Sequence, residues 1–294
     1  MSFDNAYEAL TDAHDDSRWA FGTGFEDPLA GVDTSVPSGV DGDELARYCL
    51  MLGDDALVFS HRLQQWCTRA PELEDEVAIA NIGLDLLGQA RLLLARAGKA
   101  EGTDRGEDDY AFFREEHEFR NVRLAELERG DFGQLIAVLL VFSTWRLALF
   151  QRLRSSVDPV LAAIADKGVK ELTYHRDYAA QWAVRLGDGT AFSHERMQAG
   201  LDGIWPFVAE LFVPHEIESR LVTAGVAVDP SAVREEFDGV LEQVFTAGTL
   251  TRPEIAGKAG VNGQTGRGGR HTEAMGYLLA ELQSVARAHP EATW

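Results

Sequence analysis

The stretch Glu72–Gly98, ELEDEVAIANIGLDLLGQARLLLARAG, decides how the rest of the chain is read. Its apolar residues (Val77, Ile79, Ile82, Leu84, Leu86, Leu87, Leu92, Leu93, Leu94) fall almost all the way round a helical wheel. That pattern predicts a long helix buried on every side. One polar line interrupts it, because Asn81, Asp85 and Gln89 recur every fourth residue. A carboxylate among apolar neighbours is costly unless it is paired or ligates something. The line is therefore a metal site, the remains of one, or a hydrogen-bond seam.

The segments around it are helical as well. Periodicity predicts helices over 43–68, 72–98, 108–128, 131–155, 158–187, 193–212, 231–247 and 271–288, with a charged loop at 99–107. Asp131 and the Asp158-Pro159 pair have the form of helix starts, and Thr251-Arg-Pro-Glu254 has the spacing of a capping box. No run alternates with period two for more than a few residues, so no strands are expected. The fold class is all-α: one domain over 43–294, a bundle of long helices with further helices toward the C-terminus. Residues 1–42, rich in Gly and acids with scattered Trp19, Phe21 and Phe25, read as an acidic, poorly ordered arm.

The chain carries 48 acidic against 27 basic residues, a net charge of −21, and its lysines are Lys99, Lys167, Lys170 and Lys258. Such a charge repels nucleic acid and anionic membranes, so neither is an expected partner. It suits a protein kept soluble in concentrated salt, where screening shortens the reach of self-repulsion. A circular-dichroism salt titration is expected to show folding that improves with salt; full folding in dilute buffer would contradict that habitat. No segment reaches about 18 uninterrupted apolar residues, and the acidic N-terminus lacks the basic flank and apolar run of a signal peptide. Cys49 and Cys67 both sit in apolar helical patterns and read as buried thiols of a cytoplasmic protein.

Polar residues inside a bundle raise the prospect of a di-iron carboxylate site. That site needs a Glu from each of two helices and Glu-x-x-His from each of the other two. The three-residue spacing puts carboxylate and imidazole on one helix face. Three residues before His14, His61, His117, His175, His194, His215, His271 and His289 stand Thr11, Val58, Arg114, Leu172, Ala191, Phe212, Gly268 and Ala286, none of them acidic. Asp85 is followed at three by Gly88, and Glu171 by Tyr174, with His175 at four. Helix 131–155 offers Gln134, Ser143 and Thr144 inward but no carboxylate. Two readings stay open: a metal site with unusual ligands, or a buried network in which Asp85, Glu171 and His175 satisfy one another or a nearby Arg.

Elsewhere, the loop GQTGRGGRH (263–271) sets Arg267, Arg270 and His271 beside glycines ahead of a helix. That arrangement suits an anion such as a phosphate, or a partner contact, or an ordinary surface loop. The charge run Arg114–Arg120, REEHEFR, reads as a solvated helix face or an interaction edge. Cys-x-x-Cys, phosphate-loop, His-Glu-x-x-His and Gly-x-Ser-x-Gly motifs are absent from the sequence.

Several stretches together resemble a known family, the non-catalytic C subunits of multicomponent ring 1,2-phenylacetyl-CoA epoxidases. They are LGDDALVFSHRLQQWCTRAPELEDEVAIANIGLDLLGQAR (52–91), EDDYAFFREEHEFRN (107–121), KELTYHRDYAAQWAVRLGDGT (170–190), LDGIWPFVAELF (201–212) and GRHTEAMGYLLAELQSVARAHPEATW (269–294). The likeness runs in order over about residues 45–294 and leaves out the arm. It implies a ferritin-like helical bundle. It also implies a structural subunit that scaffolds a homologous catalytic A subunit, which holds the di-iron centre. Other oxygenase subunits complete the complex, and a reductase with FAD and an iron–sulfur centre supplies electrons from NADPH. Asp85/Gly88 and Glu171/Tyr174, with His175 beside them, would be degenerate counterparts of the two Glu-x-x-His motifs. This chain would then hold no catalytic residue, cofactor, metal or substrate of its own. The competing reading is a self-sufficient di-iron oxygenase or oxidase with an altered ligand set. A third is a module binding CoA compounds through the 263–270 loop.

Overall fold

A computed structural model describes residues 29, 31–103, 105–128, 130–258, 260 and 264–292. Among them are nine α-helices and no β-strand. In chain order these are α1 (Gly42–Gln64), α2 (Leu73–Glu101), α3 (Glu107–Phe112), α4 (Phe132–Leu153), α5 (Pro159–Gly187), α6 (Ala191–Ile204), α7 (Glu216–Thr223), α8 (Arg234–Ala247) and α9 (Glu273–Ala288). The all-α reading holds.

Two hairpins make the bundle. α1 packs along α2, α4 packs along α5, and α2 and α5 touch across the middle. α2 and α5 run antiparallel, since Asp75 meets Trp182, Asp85 meets His175 and Arg96 meets Asp158. α6 and α8 cover the outer sides of α4 and α5, and α9 lies against α3 and the irregular segment that follows it. The start signals act as the residues dictate. Asp131 accepts from the Gln134 amide at 2.9 Å, and Asp158, ahead of Pro159, accepts from Leu161 at 2.8 Å. Each satisfies an amide that the helix start would otherwise leave orphaned. The middle of α4 lies in the core, with Leu139, Leu140, Val141, Phe142, Trp145 and Phe150 all buried. The Phe59 and Phe142 rings meet at 4.6 Å and lock α1 to α4.

The structure departs from the sequence reading in several places. The predicted helix 108–128 ends at Phe112; two short 3-10 turns, Glu116–Glu118 and Arg123–Glu126, follow it with extended backbone between them. Arg114 and Phe119 in REEHEFR are buried, so the run is not a solvated helix face. The predicted helix 193–212 begins earlier, with Thr190 capping it, and α6 stops at Ile204 before Pro206, giving way to 3-10 turns through Phe212. α7 occupies residues left without a helix in the periodic reading, and no helix follows Thr251-Arg-Pro-Glu254. Cys49 is buried but Cys67 is exposed, in the turn after α1. α2 is not buried on every side: Leu73, Val77 and Leu84 face outward.

The expected arm also narrows. Val32, Val36 and Val40 pack against the core, and Arg96 donates to the carbonyls of Thr34 (2.5 Å) and Ser35 (3.2 Å). Trp19, Phe21 and Phe25 lie outside the described residues. By length and composition α2 and α4 are each apolar enough to cross a membrane. In the most apolar 18-residue window of each, 89% of α4 is buried in the bundle and only 44% of α2.

Candidate functional site: a charge network through the four-helix core

The polar line on α2 runs from surface to interior. Asn81 is exposed, Asp85 half-buried and Gln89 buried. Four residues turn a helix by about 400°, so each step rotates the line by about 40° toward the core. At Asp85 the line meets α5, where His175 Nε2 lies 3.0 Å from Asp85 Oδ2. The imidazole is 1% exposed and the carboxylate 37%, so the pair opens to solvent through Asp85 alone. One turn along, Gln89 Nε2 donates to Glu171 Oε2 at 2.9 Å. Each helix thus contributes residues four apart, and antiparallel packing crosses the pairs, Asp85 to His175 and Gln89 to Glu171. Lys167 approaches Glu171 at 3.4 Å from the preceding turn of α5.

Gly88 and Tyr174 stand at the three-residue offsets where the di-iron pattern has histidines. A Cβ built on Gly88 meets nothing within 4 Å, and Tyr174 is exposed. Neither position faces the bundle interior.

Arg146 on α4 reaches that interior instead. Its Nε donates to Gln89 Oε1 at 3.0 Å, its guanidinium lies 4.4 Å over the Phe150 ring, and its Nη1 is 4.0 Å from Asp55 Oδ2 on α1. Neither Nη group has a hydrogen-bonding acceptor within the protein. Burial disfavours the cation and lowers its pKa to about 10, with Asp55 pulling the other way. It stays positive at neutral pH. Asp55, Gln89, Arg146 and Glu171 therefore run a single network through all four central helices. Ser143 and Thr144 are buried but outside it, Ser143 bonding back to Leu139 at 2.6 Å, and Gln134 bonds the Glu128 carbonyl near the surface. Among the described residues, no three His, Cys, Asp or Glu side chains gather as a metal ligand set.

The same network reaches the C-terminal loop. Asp55 accepts from Arg267 through Nη1 (3.0 Å) and Nη2 (2.8 Å), and from the Val122 amide at 2.8 Å. Arg267 Nη1 also donates to the carbonyls of Met51 and Arg120, both at 2.8 Å. Neighbouring Asp54 pairs with Arg114 and accepts from the Arg120 amide at 2.8 Å. Two adjacent acids on α1 thus hold 114–122 in its irregular path, which is why no helix forms there. The loop expected to offer Arg267, Arg270 and His271 to an anion turns two of the three inward. Arg267 is buried on Asp55, and His271 sits with Nδ1 2.9 Å from Glu126 Oε2 and Nε2 3.2 Å from the Phe119 carbonyl. Arg270 is exposed, donating to Gln264 at 3.3 Å. An anion at this loop would meet one cation, not three.

Periodicity missed Asp54, Asp55 and Arg146. Each carries a signal in the sequence: a charge inside an apolar helical run, LMLGDDALVF or LLVFSTWRLALF. A buried charge requires a partner.

Residues 33–294 match the family described as phenylacetic acid catabolic protein. Over 253 residues the chain is 43% identical to the C subunit of the 1,2-phenylacetyl-CoA epoxidase of Escherichia coli strain K12, covering 86% of this chain and 100% of that relative. The chain belongs to the phenylacetic acid catabolic protein family.

Proposed function

We propose that the chain is the structural subunit of a 1,2-phenylacetyl-CoA epoxidase in phenylacetate degradation, holding a di-iron catalytic subunit without performing the oxidation. The observation that carries this reading is Arg146. A dinuclear iron site needs carboxylates and imidazoles from four helices converging on two cations. Here α4 brings a cation of its own, and Gln89 is spent on linking it to Glu171. Of the other donors, Asp55 is held by Arg267, solvent-edged Asp85 is paired to His175, and Glu171 accepts from Gln89. That set does not fit two irons, so no chemical step is assigned to this chain. A self-sufficient oxygenase needs at least four converging donors, and no observation favours it.

The likeness to the bacterial C subunit along that relative's whole length supports the substrate class, a CoA-activated aromatic ring, for the assembly as a whole. The catalytic subunit would carry the iron, and a reductase with FAD and an iron–sulfur centre would deliver electrons from NADPH. What this chain supplies is a bundle whose shape needs no metal. Purified alone, it is expected to hold no stoichiometric iron and to show no oxygenase activity; two irons per chain would overturn the proposal.

A further inference from the structure

The network through the four central helices is directly hydrogen-bonded except between Arg146 on α4 and Asp55 on α1. We infer that this place is a binding site for one buried water molecule, which accepts from the guanidinium and donates to the carboxylate.

The donors and acceptors on the two sides match. Arg146 spends its Nε on Gln89 Oε1, while Nη1 and Nη2 meet no acceptor in the protein. The Phe150 ring at 4.4 Å attracts the cation but offers no lone pair to its edge. Both side chains are fully buried, so bulk solvent does not serve those donors. Buried polar groups are costly to leave unpaired, charged ones most of all. On the other side, an ionised carboxylate accepts about four hydrogen bonds, two at each oxygen. Asp55 Oδ1 already accepts from Arg267 Nη1 at 3.0 Å and the Val122 amide at 2.8 Å. Oδ2 accepts only from Arg267 Nη2, at 2.8 Å. The acceptor position still open is therefore on Oδ2, the oxygen that lies 4.0 Å from Arg146 Nη1. That span is too long for a direct bond, and a water about 2.8 Å from each group bridges it.

The same two groups select the ligand. A small anion would accept from Arg146 but would stand against the charge of Asp55, with nothing to donate to it. A metal cation would suit Asp55 and stand against Arg146. Water both accepts and donates, and a buried water ordinarily makes about three hydrogen bonds. α5 packs closely over this part of the network. A Cβ added to Gly168 would stand 2.7 Å from Phe150 Cδ1 and 3.5 Å from Gln89 Cδ. With the water in place, one line of hydrogen bonds runs from Glu171 through Gln89, Arg146, the water and Asp55 to Arg267. It ties α5, α2, α4 and α1 to the C-terminal loop.

The test is a crystal structure of the wild-type chain at a resolution that shows ordered water. Crystals are grown in sodium chloride and again in sodium bromide, whose anion scatters anomalously. One density peak is expected within about 2.6–3.2 Å of an Arg146 Nη and of Asp55 Oδ2. It should be the same in both salts and carry no bromide signal. An anomalous peak at that place would overturn the water in favour of an anion. Absence of a peak there, with Arg146 bonded directly to Asp55 or left without a partner, would overturn the bridge itself.

Discussion

Replacing Arg267 with Met is expected to lower the unfolding free energy by about 3–5 kcal/mol, the usual consequence of removing one partner of a buried ion pair. The side chain is the tie between the C-terminal loop and the bundle. It holds both oxygens of Asp55 and the carbonyls of Met51 and Arg120, and it is buried throughout. Without it the Asp55 carboxylate keeps the Val122 amide and the guanidinium of Arg146 at 4.0 Å, which lacks direct hydrogen-bond geometry. The unfolding midpoint should fall by on the order of 10 °C in a chain of this size. Removing both charges, as in Asp55→Leu/Arg267→Met, should cost less than the sum of the two single changes, because neither partner is then left buried and unpaired. Thermal or urea unfolding of the four proteins measures this. Full additivity, or a shift below about 1 kcal/mol for Arg267→Met, would mean that the pair is incidental.

The second large effect is expected at His271. Both ring nitrogens face acceptors, the Glu126 carboxylate and the Phe119 carbonyl, which is the arrangement of an imidazolium donating twice. Burial opposes the charge, but the hydrogen bond and charge of Glu126, the Phe119 carbonyl and the charge of Glu116 outweigh it and hold the pKa above the ordinary value. A folded pKa raised above the unfolded one gives stability that is full below about pH 6.5 and is lost as pH rises through the folded pKa. His271→Phe should therefore cost about 3 kcal/mol at pH 6 and progressively less above neutrality. The quantity to follow is the difference between the variant and wild type from pH 6 to 9. His61 and His215 are held below the ordinary value, chiefly by burial, and contribute in the opposite sense, but equally to both proteins. A difference that does not change with pH would show that folding leaves the His271 pKa unshifted, and one that grows with pH would show that the ring is neutral in the fold. Glu126 also accepts from Asn121 Nδ2 (3.1 Å) and the Thr272 amide (2.5 Å). It therefore links the irregular segment after α3 to the start of α9, and loss of the histidine should loosen both.

These two ties explain what in the fold was legible beforehand. α2, α4 and α5 could be placed from local signals: apolar spacing, Asp131, and Asp158 ahead of Pro159. The course of 108–128 could not. Its residues have helical spacing, but their carbonyls, amides and Arg114 are claimed by Asp54, Asp55 and Arg62, which are more than 50 residues away in sequence. Periodicity carries no information about such distant partners. The candidate site was half legible. The count of histidines against preceding acids removed the intact di-iron pattern, and the pairing of Asp85 with His175 follows from helical spacing and antiparallel packing. A search of helix 131–155 confined to carboxylates passes over Arg146, whose cation completes the network. The exposed stripe on α2 was misplaced for a related reason. A helix that is apolar all round must be covered, and the wheel does not say whether the cover belongs to the same chain.

On the function proposed above, a guanidinium-centred network crosses the four central helices in place of a di-iron ligand set. Its most direct test is elemental analysis of the isolated chain after anaerobic loading with ferrous iron and removal of the excess. The network predicts no stoichiometric iron, and it predicts an unfolding midpoint that neither iron nor a chelator moves. Two irons per chain, or a midpoint that rises with iron and falls with the chelator, would contradict it.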